Sequence, residues 1–328
     1  MFGKLLLRGL VDVDKTYHHG KNQYPTDNCT FVVVHFCFVC CFSIIPIITN
    51  SKRRQRLRLL TINNQLSDYP NKELSGVGVT WQFCRYIDSI LNCNYANNFL
   101  DLVALGECGD MMSLRSTETR YLISKGFKLE NIKNPFISYM IDKNSFPLSK
   151  ADYISSNPEM GCTSMGAAFF IVPFVNALTR SGTQTEKELL FKSMLDNYAF
   201  TKILSNKRGH KEGEQETILA QALRTATNVK NRQTRAEDAG MALLEAKIKE
   251  NCLLQHKILL FLLKENEIEP NIRGLVANKM MAKYQRPCLV LSYSPEKRIY
   301  EGSGRGYTKT GVIQTGSPSF GSRFFLNS

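Results

Sequence analysis

The sequence has few of the features that would place it in a specialised class of protein. Its ten cysteines are spread over 328 residues and include no pair of CxxC motifs at a zinc-site spacing, which argues against a disulfide scaffold and a zinc ribbon. Hydrophobic residues make up 43% of the chain and charged residues 22%, so a wholly disordered or collagen-like chain is excluded. The length suffices for two ordinary domains, each with a core.

Acidic residues are fewer than basic ones, and they are distributed unevenly along the chain. Lys and Arg number 42 against 29 Asp and Glu, which gives a formal charge of +13. Residues 1–60 contain no Glu and only three Asp, with nine Lys and Arg, four Cys and three His. A basic excess indicates a polyanionic partner, but charge alone does not choose between nucleic acid and membrane.

Residues 1–60 form a leader of atypical composition, and we expect it to be irregular. The apolar run at 31–48 is followed by the basic run SKRRQRLR at 51–58, which is typical of a membrane span with a cytoplasmic C-terminal side. Buried β-strands and misread coding sequence are the alternatives. Residues 11–20 contain two Asp and two His, which could bind a divalent metal, but a solvated loop is favoured.

A long apolar run at 99–114 ends near Asp110. Such a run suits a strand or helix that is buried on all sides. A carboxylate at its end is a candidate metal ligand or general base, and a helix N-cap is the alternative.

The following segment favours helices. A helix at 165–178 is expected to kink or divide at Pro173, and 186–200 reads as an amphipathic helix. The charged stretch 205–214 reads as a linker, and most of 215–264 as long helix, with 256–263 equally compatible with a strand.

The last part of the chain predicts a helix at 272–284 and a strand at 287–293. Residues 300–307 read YEGSGRGY, and we expect a turn there. Backbone N–H groups, the Ser303 hydroxyl and the Arg305 guanidinium would suit a phosphate or another oxyanion. A simple flexible turn is the alternative. Alternating helices and strands indicate an α/β fold.

Five motifs in this order resemble those of the RecJ-like single-stranded-DNA exonucleases, members of the DHH phosphoesterase family, in the form carried by phages and Firmicutes. The family pattern that corresponds to 102–114 is the family's fourth motif, usually LVALGTxAD. The family pattern that corresponds to 172–182 is usually APxxNAxGRxG. The matching segments are LSGVGV at 74–79, LVALGECGDMMSL at 102–114, VPFVNALTRSG at 172–182, GLVANKMMAKYQRPCLVLS at 274–292 and GSGR at 302–305.

The resemblance implies metal-assisted hydrolysis of a phosphodiester in single-stranded nucleic acid, DNA being favoured over RNA. Asp110 would be a catalytic ligand to manganese or magnesium, and Asn176 and Arg180 would hold the substrate phosphate. The strand would be bound from the second domain by four consecutive residues, Gly302, Ser303, Gly304 and Arg305.

The resemblance also implies a domain organisation and a cytoplasmic location, with oligomeric state left open. After the leader, 61–205 would be an incomplete DHH-type catalytic domain. Residues 206–255 would be a linker and a long connecting helix, and 256–328 a smaller, incomplete α/β DHH-associated domain. Membrane association is not expected.

Departures from the family pattern are as informative as the matches. The DxDxDG and Asp-His-His motifs that should precede 74–79 are absent, and so is the Gly-Gly-His turn near the end. A single Asp110 cannot hold two metals, so we expect impaired nuclease activity. The alternatives are a catalytically inactive nucleic-acid-binding module, an oligoribonuclease or cyclic-dinucleotide phosphodiesterase of the same family, and a membrane-attached protein.

Overall fold

The computed structural model describes residues 30–37, 41–48, 60–65, 68–144, 156–295, 298–307 and 325–327, with side chains placed from residue 62 to residue 307 of these ranges. The strands are β1 Thr30–Cys37, β2 Cys41–Ile48, β3 Leu60–Ile62, β4 Lys202–Leu204, β5 Gln215–Thr217, β6 Leu259–Leu263, β7 Cys288–Ser294, β8 Ile299–Arg305 and β9 Phe325–Asn327. The α-helices are α1 Gly76–Leu91, α2 Leu100–Gly109, α3 Thr117–Gly126, α4 Pro135–Lys143, α5 Ser164–Phe170, α6 Val172–Ser181, α7 Gln184–Ser193, α8 Asp196–Ala199, α9 Ile218–Glu250 and α10 Pro270–Tyr284.

The predicted α/β class is confirmed by this mixture of helices and strands. The chain divides into two compact units. The first is built from the described residues up to Asn176 together with Gln184–Thr225, and the second from Ala177–Thr183 and the described residues from Ala226 onward.

Side-chain caps begin several helices of the first unit. Ser75 accepts a hydrogen bond from the Gly78 N–H at the start of α1, and Thr163 accepts one from Gly166 at the start of α5. Helix α4 begins with Asn134 as cap and Pro135 at the first position, where a missing N–H costs nothing. A core of apolar side chains packs α1 against α2 and α3: Leu74, Val77, Val79, Trp81, Cys84, Ala96, Leu100, Val103 and Leu122.

The sequence predictions for the first unit hold in part. The apolar run at 99–114 contains helix α2, whose residues are almost all buried. The segment around Pro173 divides into α5 and α6 as expected, with Pro173 in the first turn of α6. The helix predicted at 186–200 is divided between α7 and α8. The residues predicted as a linker at 205–214 connect β4 and β5, which pair antiparallel.

The second unit contains a four-stranded sheet in the order β6-β7-β8-β9. Strands β6 and β7 are parallel, and the other pairs are antiparallel. Helix α10 connects the parallel pair and packs on one face of the sheet, as a β-α-β crossover requires. The apolar core of this unit includes Leu244, Ile248, Leu259, Phe261, Leu263, Ile268, Ile272, Val276, Ala277, Met280, Cys288 and Val290.

The turn predicted at 300–307 is wrong. Residues Gly302 to Arg305 are the last four residues of β8, and they pair with β7 from Cys288 to Leu291. The pairing partner lies more than ten residues away in sequence, so a local Gly-Ser-Gly pattern could not reveal it. Backbone N–H groups of this segment therefore take part in a sheet rather than lining a free turn.

The leader is not irregular throughout. Its apolar run forms the antiparallel pair β1 and β2, and β3 pairs with β2. Branched side chains favour strands in segments rich in Val and Ile, so the strand alternative accounts for this run. Among the described residues, no helix has the length and apolar character to cross a membrane. The acidic and histidine-containing stretch at 11–20 and the basic run at 51–58 lie outside the described residues.

Candidate functional site

Asp110 lies at the C-terminal end of α2, and its side chain is exposed. Asp110 is therefore not a helix N-cap, which was the alternative interpretation of its position in the sequence. Its N–H donates to the Gly106 carbonyl at 2.9 Å, and the next residue, Met111, has a φ of 53°. A left-handed backbone at a non-glycine residue costs on the order of 1 kcal/mol. Helix α2 therefore ends abruptly at Asp110, the candidate metal ligand.

The buried carboxyl of Glu107 joins this helix to the LSGVGV segment. The Ser75 hydroxyl donates to Glu107 Oε1 at 2.6 Å, and the Ser75 N–H donates to the same oxygen at 3.2 Å. Ser75 also caps α1 through the Gly78 N–H. One serine thus fixes the start of α1 and ties it to the helix that ends at Asp110.

Two glycines make this approach of α1 and α2 sterically feasible. A Cβ at Gly78 would collide with Glu107 Oε1 and would lie 2.7 Å from Leu74 Cγ. A Cβ at Gly106 would collide with a methyl group of Val77. The glycines of the two sequence motifs therefore face each other across one helix contact.

Glu107 Oε2 is buried and has no hydrogen-bond partner in the described part of the chain. The pKa of Glu107 is raised to about 7, mainly by burial and to a smaller extent by the negative charges of Asp110 and Glu118, whereas the bonds from Ser75 act in the opposite direction. The group is thus poised between neutral and charged forms near neutral pH. Glu118 itself accepts hydrogen bonds from Tyr69, Asn71 and Gln82.

Arg305 is the second charged feature, and it lies on the face of β8 that is covered by α10. Its strand partner Cys288 is buried on that face. A Cβ at Gly274 of α10 would lie 2.7 Å from Arg305 Nη2 and 3.5 Å from Ser303 Oγ. Glycine at 274 therefore leaves room for the guanidinium and the hydroxyl on the same face.

The C-terminal end of α6, which carries Arg180, is held by α9 and α10. Gln233 Nε2 donates to Ser181 Oγ at 3.1 Å, and Arg232 Nη2 donates to the Ser181 carbonyl at 3.2 Å. Asn271 Nδ2 donates to the Arg180 carbonyl at 3.4 Å. Two of these bonds hold the backbone from which the exposed Arg180 side chain extends, and the third holds the Ser181 side chain next to it.

Arg180 and Arg305 are close enough to repel each other. Burial lowers the pKa of Arg305, and the positive charge of Arg180 lowers it further. Within the described ranges neither guanidinium forms an ion pair with a carboxylate. Two converging cations without a counter-ion favour an anion, and a guanidinium can bind a phosphate through two N–H groups.

Two known proteins of similar sequence are both named single-strand DNA-specific exonuclease. The chain is 36% identical over 253 residues to the SPbeta prophage-derived single-strand DNA-specific exonuclease YorK of Bacillus subtilis (strain 168), and equally to the corresponding protein of Bacillus phage SPbeta. The match covers 76% of this chain and 41% of each relative. The chain therefore spans about two fifths of the length of the curated relatives it matches.

The chain is related to these single-strand DNA-specific exonucleases. The resemblance to RecJ-like exonucleases, which was based on the motifs, is confirmed by this similarity. No family model matches the chain. Solved structures with partial similarity are RecJ from Thermus thermophilus in complex with Mg²⁺ (TM-score 0.47, 17% identity, covering 77% of this chain and 33% of that one) and exonuclease RecJ bound to manganese (TM-score 0.47, 17% identity, covering 77% and 54%).

The residues that the RecJ resemblance selects fall in both units. Asp110 and Asn176 belong to the first unit, and Arg180 belongs to the second together with the β8 residues Gly302 to Arg305. Asn176 and Arg180 lie four residues apart on α6. Of the selected residues, Arg180 is near enough to Arg305 to lower the pKa of its guanidinium, and Arg305 and Ser303 both lie near Gly274.

The described residues of this chain do not fit a two-metal centre. No group of three or more His, Cys, Asp or Glu side chains converges anywhere in the described ranges. Glu107, three residues before Asp110, has one buried oxygen without a hydrogen-bond partner among the described residues, but its side chain is fully buried and its other oxygen accepts hydrogen bonds from Ser75. Asp110 therefore has no set of protein co-ligands among these residues.

Two important residues escaped the sequence-based selection. Glu107 lies inside the motif that nominated Asp110, and its signal was a charged residue in the middle of a largely apolar run. The RecJ pattern LVALGTxAD has Thr at the position that Glu107 occupies in this chain. Gly274 opens another matched segment, but only the contact with Arg305 reveals why a residue without a side chain is needed there.

Proposed function

We propose that this chain acts on single-stranded DNA as a RecJ-like exonuclease component. The observation that carries the proposal is 36% identity over 253 residues to proteins named single-strand DNA-specific exonucleases. The proposal extends the exonuclease activity of those longer relatives to this chain. It also includes a cytoplasmic location, in a bacterium or a phage-infected cell, and a role in DNA recombination, repair or phage DNA metabolism.

Strand binding is the part of this function that the described residues support best. Arg180 and Arg305 present two guanidinium groups without a carboxylate counter-ion among the described residues, and the Ser303 hydroxyl lies on the same face as Arg305. A phosphodiester would neutralise both cations and accept hydrogen bonds from each. Gly302 and Gly304 would belong to the same proposed site. A side chain at Gly302 would collide with the Val290 carbonyl of the neighbouring strand, so glycine is required there for the pairing of β7 and β8.

Hydrolysis would belong to the predicted domain at 61–205, with strand binding in the predicted domain at 256–328 and the connecting segment 206–255 between them. Manganese or magnesium would supply the Lewis-acid chemistry of such an exonuclease. Asp110 would be a ligand. Because the described residues offer it no converging co-ligands, we expect slow cleavage or none from this chain.

Binding and cleavage should be measured separately. Fluorescence anisotropy with a labelled oligodeoxythymidine should show binding that weakens as salt increases, since phosphate contacts release counter-ions. The double substitution R180Q/R305Q should lower the steepness of that salt dependence by about 1.4, at about 0.7 per phosphate contact on single strands. Absence of strand binding by the unmodified chain at low salt would contradict the proposal.

A second candidate function is a catalytically inactive module that binds nucleic acid. The lack of converging metal ligands in the described ranges favours it. Incubation of a labelled single strand with manganese or magnesium separates the two candidates: degradation that D110A abolishes supports the nuclease, and intact strand with salt-sensitive binding supports the module. Competition by short oligoribonucleotides or cyclic dinucleotides tests the related family substrates.

A further inference from the structure

The hairpin formed by β4 and β5 in the first unit has no role in the site described above. Its strands pair Lys202 with Thr217 and Leu204 with Gln215. Residues 205–214 connect them, and this connection is closed by a hydrogen bond from the Ser205 N–H to the Glu214 carbonyl at 2.8 Å. The connection turns at two glycines with positive φ, Gly209 and Gly213, each with open space around it.

The base of the hairpin is held rigidly by the first turns of α9. Arg224 forms a two-pronged ion pair with Glu216, with both N···O distances at 2.5 Å, and also donates to Asn206. Gln221 Nε2 donates to the Leu204 carbonyl at 3.1 Å. The Arg224 bond is the main reason that the pKa of Glu216 is lowered to about 2. The carboxylate of the stem is therefore neutralised within the protein.

The tip of the hairpin carries cations that form no ion pair with the described residues. Lys207, Arg208 and Lys211 are all exposed, and none of them forms an ion pair within the described ranges. Two carboxylates follow on the descending arm, Glu212 and Glu214. Glu214 accepts a hydrogen bond from the Lys211 N–H at 3.0 Å, so this group fixes the turn.

Large apolar side chains are exposed where the hairpin begins. Phe200 is 66% exposed, Tyr198 is 47% exposed and Leu204 is 69% exposed. Isolated exposed apolar residues are ordinary, but three within seven residues, at the start of a hairpin whose tip is cationic, give the hairpin a surface of mixed character. Aromatic faces beside unpaired cations are what a single strand requires, because bases stack on the rings while phosphates meet the cations.

We propose that this hairpin is an additional contact for single-stranded nucleic acid. Phe200 and Tyr198 stack bases, and Lys207, Arg208 and Lys211 meet the backbone phosphates. The proposal rests on the proposed function, namely that the chain binds single strands. It adds a contact outside the arginine pair, and the rigid stem means that little ordering is needed when a strand binds.

The test uses the full chain, with anisotropy of a labelled oligodeoxythymidine measured over a series of salt concentrations. K207A/R208A/K211A should reduce the steepness of the salt dependence by about 2, at about 0.7 per contact. F200A should weaken binding on the order of tenfold without changing that steepness, because stacking releases no counter-ions. All four positions are exposed, and thermal unfolding should match the unmodified chain.

The matched control is K143A/K192A/K249A, which removes three exposed cations outside the hairpin and outside the predicted strand-binding domain and should change binding little. Strand binding that is the same in the hairpin variants and the unmodified chain, while R180Q/R305Q weakens it, would overturn the hairpin contact and leave the proposed function standing. An equal loss in the control triple would also overturn it, since the effect would then be one of net charge. Failure of the unmodified chain to bind would instead reject the proposed function.

Discussion

Two buried carboxyls of the first unit and two arginines of the second unit are treated in opposite ways. The first unit buries two carboxyls on α2, Asp101 and Glu107, and supplies them with hydrogen-bond donors from its own chain. The second unit brings Arg180 and Arg305 together and gives them no carboxylate among the described residues. Charges that the chain satisfies internally serve folding, whereas like charges left facing each other favour an external ligand. The substitutions below test this contrast.

Asp101→Asn should have the largest effect. Asp101 accepts N–H bonds from Leu102, Lys133 and Asn134 at 2.8, 2.9 and 2.6 Å, and an amide would turn one acceptor into a donor. Stranding buried N–H groups in this way should lower the free energy of unfolding by about 3 kcal/mol. Urea denaturation measures this loss. An unchanged midpoint would show that Asp101 does not serve folding.

Gly78→Ala should destabilise the chain by about 2 kcal/mol, because overpacking of a tight contact typically costs about 1–3 kcal/mol. The new methyl group would press on Glu107 and Leu74. Gly109→Ala is the matched control, since its Cβ would lie 3.8 Å from Val172, an ordinary contact. Equal unfolding midpoints for the two variants would contradict the tight approach of α1 and α2.

Glu107→Gln should change how stability depends on pH. The folded-state pKa of Glu107 is raised to about 7 from an ordinary value of 4.5, so the folded chain holds this proton more tightly than the unfolded chain. Stability of the unmodified chain should therefore fall as pH rises from about 4.5 to 7, by about 2 kcal/mol. The Gln variant should lose that part of the slope. Urea midpoints across this pH range measure it, and parallel curves would refute it.

Arg180→Gln should have the smallest effect on stability and the opposite sign. Removing one of two mutually repelling cations should raise the free energy of unfolding by about 0.5 kcal/mol at low salt, since Arg180 is exposed and solvent screens it. Inorganic phosphate should raise the melting temperature of the unmodified chain more than that of the variant. Equal shifts would place the anion elsewhere.

Local sequence signals predicted the parts of the fold that local rules control. The break at Pro173 follows from a missing N–H, and the buried run before Asp110 follows from its composition. The strand identity of Gly302 to Arg305 depends on pairing with β7, and a Gly-Ser-Gly-Arg string carries no trace of that partner.

The candidate site was predictable to a similar extent. The family motifs nominated Asp110, Arg180 and Arg305, and the structure brings the two arginines together. The roles of Glu107 and Gly274 come from contacts with residues 32 and 31 positions away, Ser75 and Arg305. Side-chain burial and steric fit of this kind arise only when distant segments pack.

The contact between α1 and α2 has a consequence for how related sequences can vary. Ser75, Gly78, Gly106 and Glu107 form one steric and hydrogen-bonded unit, in which each residue leaves room for or satisfies another. A smaller residue at 107 would remove the acceptor for Ser75 and release the constraint on Gly78 at the same time. We therefore expect the residues at these four positions to change together among homologues. Covariation of the four positions would then reflect the contact between α1 and α2.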